Sequence, residues 1–303
     1  TLKILVVGNS HGVDSSQMLG KVYQAENPNQ KVLLGRLYHS GCRLDQHVDF
    51  LTNNAAQYIY YKSNEEGVLN RSPMSMDAVE EASGNIINGT TMYEALVDEE
   101  WDAIIMLTGS RTSGVAATYN EDIQTIQNYI NKTLGYTPKY YWHMTWAYPV
   151  EDIEGDEFVT VNTSAGFMEN YNGDQMTMYN AIVDTVKTEI LTDSSFSGIL
   201  PAGTAIQNAR TSMMGDPDLF RDHTHLGHYG RLIAAYTWYC ALEGVELNNI
   251  KLTTVPKSVL KWSGHAATED LVLTQQQIDV LVESVKNAMQ NPLSITQSVY
   301  TAQ

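Results

Sequence analysis

Cationic side chains are scarce: Lys and Arg number 18 against 35 Asp and Glu, for a formal net charge of -17. The acids are spread along the chain, and such a surface repels phosphate backbones and anionic lipids, which argues against nucleic-acid and membrane-surface partners. A neutral or cationic substrate suits it better. Cysteines are scarcer still. Cys42 and Cys240 lie far apart without metal-like spacing, so neither a disulfide framework nor a zinc site is indicated, and both read as small buried hydrophobes. No apolar run approaches the length of a membrane span. Internal repeats, low-complexity tracts and Pro/Ser linkers are also missing, so the 303 residues read as one domain.

What is present is alternation. Five strand-like runs, Leu2–Val7, Lys31–Tyr38, Trp101–Thr108, Lys139–Thr145 and Ser197–Leu200, are each followed by a helical or loop segment. This order implies right-handed crossovers and predicts a three-layer α/β/α sandwich around a five-stranded parallel sheet. Thr91 with Glu94, and Thr274 with Gln277, have capping-box spacing. Apolar stripes run through Tyr179–Ile190, Leu232–Cys240 and Ile278–Met289. Two stretches interrupt the rhythm. Residues 51–89 carry Tyr58-Ile59-Tyr60-Tyr61 and a turn at Asn64–Gly67 that suggest a small hairpin. Residues 149–173 open with Glu151, Asp152, Glu154, Asp156 and Glu157. Long insertions at the carboxyl ends of strands form the rim of a ligand crevice in doubly wound sheets, and both are read as rim or lid.

The first strand stops at Gly8-Asn9-Ser10-His11-Gly12. A serine at a strand-to-helix turn exposes its hydroxyl beside unpaired helical N–H groups, an arrangement suited to attack on a carbonyl. The hydroxyl needs a base, and histidine titrates nearest neutral pH. Of the eight histidines, His11 is expected to point away into solvent. The richest cluster is Arg221-Asp222-His223-Thr224-His225-Leu226-Gly227-His228. There the spacing of Asp222 and His225 lets a carboxylate orient an imidazole. A rival reading takes His223, His225 and His228 with Asp222 as metal ligands, although the spacing matches no specific ligand pattern. A purely structural helix entry is a third.

These elements together resemble the SGNH hydrolases, also called GDSL-type esterases, and more closely a bacterial branch classed as a domain of unknown function. The likeness rests on ILVVGNS at the start, Leu37–Cys42, Trp142–Tyr148, Asp174–Ala181, Gly203–Arg210 and the Asp222–His225 turn. It covers about Leu2 to Gly244 and leaves 245–303 as a C-terminal extension packed on the body. The resemblance implies Ser10 as nucleophile, His225 as general base and Asp222 as its orienting acid, with the Ser10 and Gly41 amides in the oxyanion hole. It implies no cofactor and no metal, and makes a secreted, periplasmic or cell-surface location the expectation. Asn9 stands where the family has a structural Asp.

One departure bears on activity. The superfamily draws a third oxyanion donor from an Asn after the third strand, where this chain reads Leu107-Thr108-Gly109-Ser110-Arg111. Thr108, Ser110, Arg111, Gln207 and Asn208 are the candidate replacements, or the hole has two donors. His143 and Trp146, with Asn208, are candidate substrate contacts, the aromatic faces being suited to an acyl or sugar pocket. The leading expectation is a serine esterase removing a small acyl group, such as acetyl, from a carbohydrate. The alternative is a carbohydrate-binding or surface protein that keeps the fold with little or no turnover.

Overall fold

A computed structural model describes residues 1–150, 153 and 168–302. The strand β1 (Leu2–Gly8) is central because its residues are apolar on both sides. Ile4 and Val6 enter one buried cluster, Leu5 and Val7 the other. Such a strand needs helices on both faces. On the first face lie α1 (Ser10–Ser16), α2 (Ala202–Arg210), α3 (His228–Glu243) and α4 (Gln275–Gln290). Helices Leu44–Thr52, Met92–Asp98, Asp122–Leu134 and Gln175–Thr185 cover the second. Both predicted capping boxes form, at Thr91 with Glu94 and Thr274 with Gln277.

The sheet itself corrects the expectation of five parallel strands. With β2 (Val32–Tyr38), β3 (Ile59–Ser63), β4 (Leu69–Arg71), β5 (Ala103–Met106), β6 (Lys139–His143) and β7 (Phe196–Leu200), it has seven strands among the described residues, in the order β4-β3-β2-β1-β5-β6-β7. β3 runs antiparallel to β2, pairing Arg36 with Tyr61 and Tyr38 with Ile59, and β4 runs antiparallel to β3. The sheet is therefore mixed, and the chain is an α/β sandwich without the all-parallel flavodoxin-like sheet. The physical reason is the free edge of β2, whose unpaired N–H and C=O groups are satisfied by a hairpin that the sequence suggests only as a rim feature. Its turn forms as read, with Asn64 Oδ1 accepting from the Glu66 and Val68 amides.

Residues after Gly244 add Val255, Val259, Leu260 and α4 to the first core. The acidic run Glu151, Asp152, Glu154, Asp156 and Glu157, read as a lid, lies outside the described residues.

Candidate active site

The carboxyl edge of the sheet gathers the loops after β1, β2 and β5. Asn9 ties them together. Its side-chain carbonyl caps α1 by accepting from His11 N–H at 3.0 Å, while its amide donates to the carbonyls of Cys42 and Thr108, each at 3.0 Å. An aspartate there, being acceptor-only, would lose the last two bonds.

Ser10 is the first residue of α1, so its N–H is among the first-turn donors that have no partner within the helix. Its Oγ lies 2.9 Å from Nε2 of His225, and Nδ1 of the same ring lies 2.9 Å from Oδ2 of Asp222. The chain thus brings Ser10, His225 and Asp222 into one hydrogen-bonded row. A compact turn holds the last two: Asp222 Oδ1 accepts from the amides of Thr224, at 2.8 Å, and His225, at 2.7 Å. Burial pushes the Asp222 carboxyl up, but the hydrogen bond and charge of His225 and these two amides outweigh it. They hold it well below the usual carboxylate range.

Gly41 also faces the crevice. Its φ of +58° is left-handed, and a Cβ there would meet nothing within 4 Å, so backbone conformation rather than crowding calls for glycine. Ser110 lines the crevice too, with its Oγ 2.5 Å from the Tyr148 hydroxyl.

Other sequence candidates sit elsewhere. Thr108 is buried off the crevice wall, and its hydroxyl oxygen accepts from Leu44 N–H at 3.3 Å, capping the start of the Leu44–Thr52 helix. Gln207 is bonded to Gln175 and Arg210, and Asn208 to Ser284 and Thr296. His143 is buried, its Nδ1 accepting from the Trp238 indole at 3.0 Å, and burial holds its pKa down near about 3. Trp146 is fully buried and donates its indole N–H to the Thr224 carbonyl at 3.0 Å. His143, Trp146 and Asn208 are therefore buried, and none of them lines the crevice.

The histidines His223, His225 and His228 do not converge. Among the described residues no group of three His, Cys, Asp or Glu side chains is placed to hold a metal. His228 instead packs against Trp262 with the rings tilted by 36° and their centroids 4.5 Å apart.

His11 corrects the expectation of a solvent-facing side chain. It is buried, stacked on Trp146 at 4.2 Å, with Nδ1 2.5 Å from Thr145 Oγ1 and its ring 5.8 Å from that of His225. Burial, reinforced by His225, holds its pKa well below the usual histidine range.

Two further contributors are not among the candidates the sequence singles out. Asp14, one helical turn after Ser10, is fully buried and bonded to Arg221 and Arg231, each at 2.8 Å, and to the Leu226 amide at 2.9 Å. Burial raises this carboxyl, but the two guanidiniums prevail and depress it strongly. Trp262, from the extension, covers both cations, with Arg221 at 4.8 Å and Arg231 at 5.4 Å from its ring centroid. Only the spacing of Asp14 from Ser10 on one helix offered a clue.

The row opens into a crevice of about 1800 Å³ running from Ser10 across the antiparallel edge of the sheet.

A family model described as "Domain of unknown function (DUF4886)" matches residues 3–268. No curated protein matches the sequence. Among solved structures, a DUF4886 family protein from Bacteroides uniformis is similar at 28% identity and a TM-score of 0.73, over 99% of each chain. A proposed SGNH hydrolase from Slackia heliotrinireducens is similar at 17% identity and a TM-score of 0.45, over 80% of this chain and 99% of that one. A catalytic mutant of an acetylxylan esterase from Geobacillus stearothermophilus is similar at 9% identity and a TM-score of 0.40, over 78% and 92%. The last two likenesses are too slight to carry an argument. The match across residues 3–268 suffices: the chain belongs to the DUF4886 family.

Proposed function

We propose that the crevice hydrolyses a carboxylic ester, removing a small acyl group from a carbohydrate, with Ser10 as nucleophile. The observation that carries this reading is the unbroken row from Ser10 Oγ through His225 to Asp222, with both links at 2.9 Å. Ser10 Oγ attacks the ester carbonyl as His225 Nε2 takes its proton. The C–O bond to the alcohol then breaks, and the departing oxygen receives that proton. Water attacks the acyl-enzyme, His225 takes and returns a proton, and Ser10 is released with the acid. Asp222, kept ionised, holds the ring with Nδ1 protonated and Nε2 free, and stabilises the imidazolium that forms. The Ser10 amide and the Gly41 amide serve the developing oxyanion.

A second reading is favoured by one observation. No asparagine stands in the element Leu107–Arg111 directly after β5, and the Thr108 hydroxyl is committed to the Leu44 amide. A missing donor lowers turnover by on the order of a hundredfold or more, and a glycan-binding protein with little catalysis is the limit of that trend. Incubation with acetylated glycans and with p-nitrophenyl acetate separates the two. Ester cleavage abolished in Ser10→Ala supports the hydrolase. Glycan binding without Ser10-dependent cleavage supports the binder.

A further inference from the structure

Among the described residues, the acidity of the chain as a whole is reversed in the crevice. Six of its seven arginines, Arg36, Arg43, Arg71, Arg111, Arg221 and Arg231, line that one space, leaving only Arg210 outside. With Lys261 they make seven cations against the four carboxylates of Glu80, Glu81, Glu169 and Asp222 on the same described lining. Across the chain the ratio is 18 to 35. Random placement of the cations would not produce this inversion.

The antiparallel edge supplies the floor. In-register partners point to one face of a sheet, so the pairings Arg36 with Tyr61 and Tyr61 with Arg71 bring these three residues to one face on three adjacent strands. Arg36 lies 4.6 Å over the Tyr61 ring. It is only 4% exposed, yet among the described residues its hydrogen-bond partners are neutral: Nη1 donates to Ser16 Oγ and Gln17 Oε1, both at 3.2 Å. Its Nε is buried without a hydrogen-bond partner, and so is Nε2 of Gln17, which lines the same space. Arg71 spends one nitrogen on the Ala78 carbonyl at 2.6 Å and also meets no carboxylate among the described residues. Arg221 and Arg231 share the single carboxylate of Asp14. A buried guanidinium without a counter-ion is costly, and the cost is relieved when an anion completes its hydrogen bonds.

We infer that this floor is a subsite for a carboxylate carried by the substrate, bound by Arg36 and Arg71 and flanked by Tyr61, so that the substrate is an acidic, uronate-type glycan. The planar fork of arginine matches a carboxylate, and the tyrosine face suits the sugar ring that bears it. The inference deepens the ester-hydrolase reading by naming the substrate class, and rests on that reading for what happens at Ser10.

Binding can be measured without turnover. The intact protein is titrated calorimetrically with a galacturonic acid trimer, with its carboxyl-reduced neutral counterpart, and with a sulfated form of the neutral trimer. The uronate is expected to bind about tenfold to a hundredfold more tightly than the neutral trimer, as a hydrogen-bonded charge implies, and more tightly than the sulfated one. Arg71→Gln, at an exposed position, and Arg36→Gln should each weaken uronate binding about tenfold. Equal binding of uronate and neutral trimers, preference for the sulfated form, no binding of any, or uronate affinity unmoved by Arg71→Gln would each overturn the subsite. The comparison of ligands on the unaltered protein and the Arg71 variant stand even if Arg36→Gln fails to fold. No ester bond is involved, so failure here leaves the hydrolase reading standing, and failure of turnover leaves this subsite standing.

Discussion

The Trp146 indole N–H donates at 3.0 Å to the carbonyl of Thr224, in the turn that runs from Asp222 to His225. A buried tryptophan thus pins the turn that carries two of the three residues in the row. Trp146→Phe keeps an aromatic face for His11 but removes the donor. The expected result is a loss of about 0.5–1.5 kcal/mol in unfolding free energy, the net worth of one hydrogen bond, read from the urea midpoint. Ester turnover should fall with it, because the imidazole loses its fixed position.

Asp14 binds two guanidiniums and the Leu226 amide from a fully buried site. Removing one member of a buried ionic group costs about 3–5 kcal/mol, since the remaining charges are stranded. Asp14→Ala should destabilise the protein by that amount, whereas Lys3→Ala, at a part-exposed pair with Glu99, should cost far less. Equal effects would contradict this assignment.

Gly41 adopts φ of +58° with open space where a side chain would begin. Gly41→Ala should therefore lower stability by about 1–2 kcal/mol through backbone conformation alone, and Gly41→Asn by less. A neutral alanine variant, measured by denaturant unfolding, would remove the argument for a required left-handed turn.

Burial lowers the pKa of His47 and His143 to about 3 and depresses His11 as well. The native protein keeps these rings neutral while the unfolded chain takes up protons below about pH 6.5. Stability is thus fully present above that pH and declines as pH falls, until the native rings titrate. Asp14, with its pKa depressed, contributes above about pH 4 and adds a second loss below it. Urea midpoints should drop between about pH 6.5 and about pH 5.5, before carboxylates titrate appreciably. A flat midpoint over that range would contradict the burial of these histidines.

Much of this was legible in the residues. The apolar run Leu2–Val7 identified a strand buried on both faces, and the five runs it headed are the parallel strands of the sheet. The turn at Asn9-Ser10 and the spacing of Asp222 and His225 singled out the side chains that meet. The hairpin Ile59–Arg71 was legible as a hairpin but not as sheet, because its membership depends on the unpaired edge of a strand over twenty residues away. His11 was misread because adjacency to Ser10 says nothing of Trp146, which stacks on it from another strand end. The net charge misled most. A sum over the chain carries no information on where Arg36, Arg71, Arg221 and Arg231 converge, and tertiary folding collects them in one crevice.

The central claim is that Ser10 is a nucleophile activated by His225. Labelling the intact protein with a fluorophosphonate, followed by peptide mapping, tests it most directly. The account predicts a single adduct on Ser10 that disappears in His225→Ala; an unlabelled Ser10, or one labelled equally well without the imidazole, would contradict it.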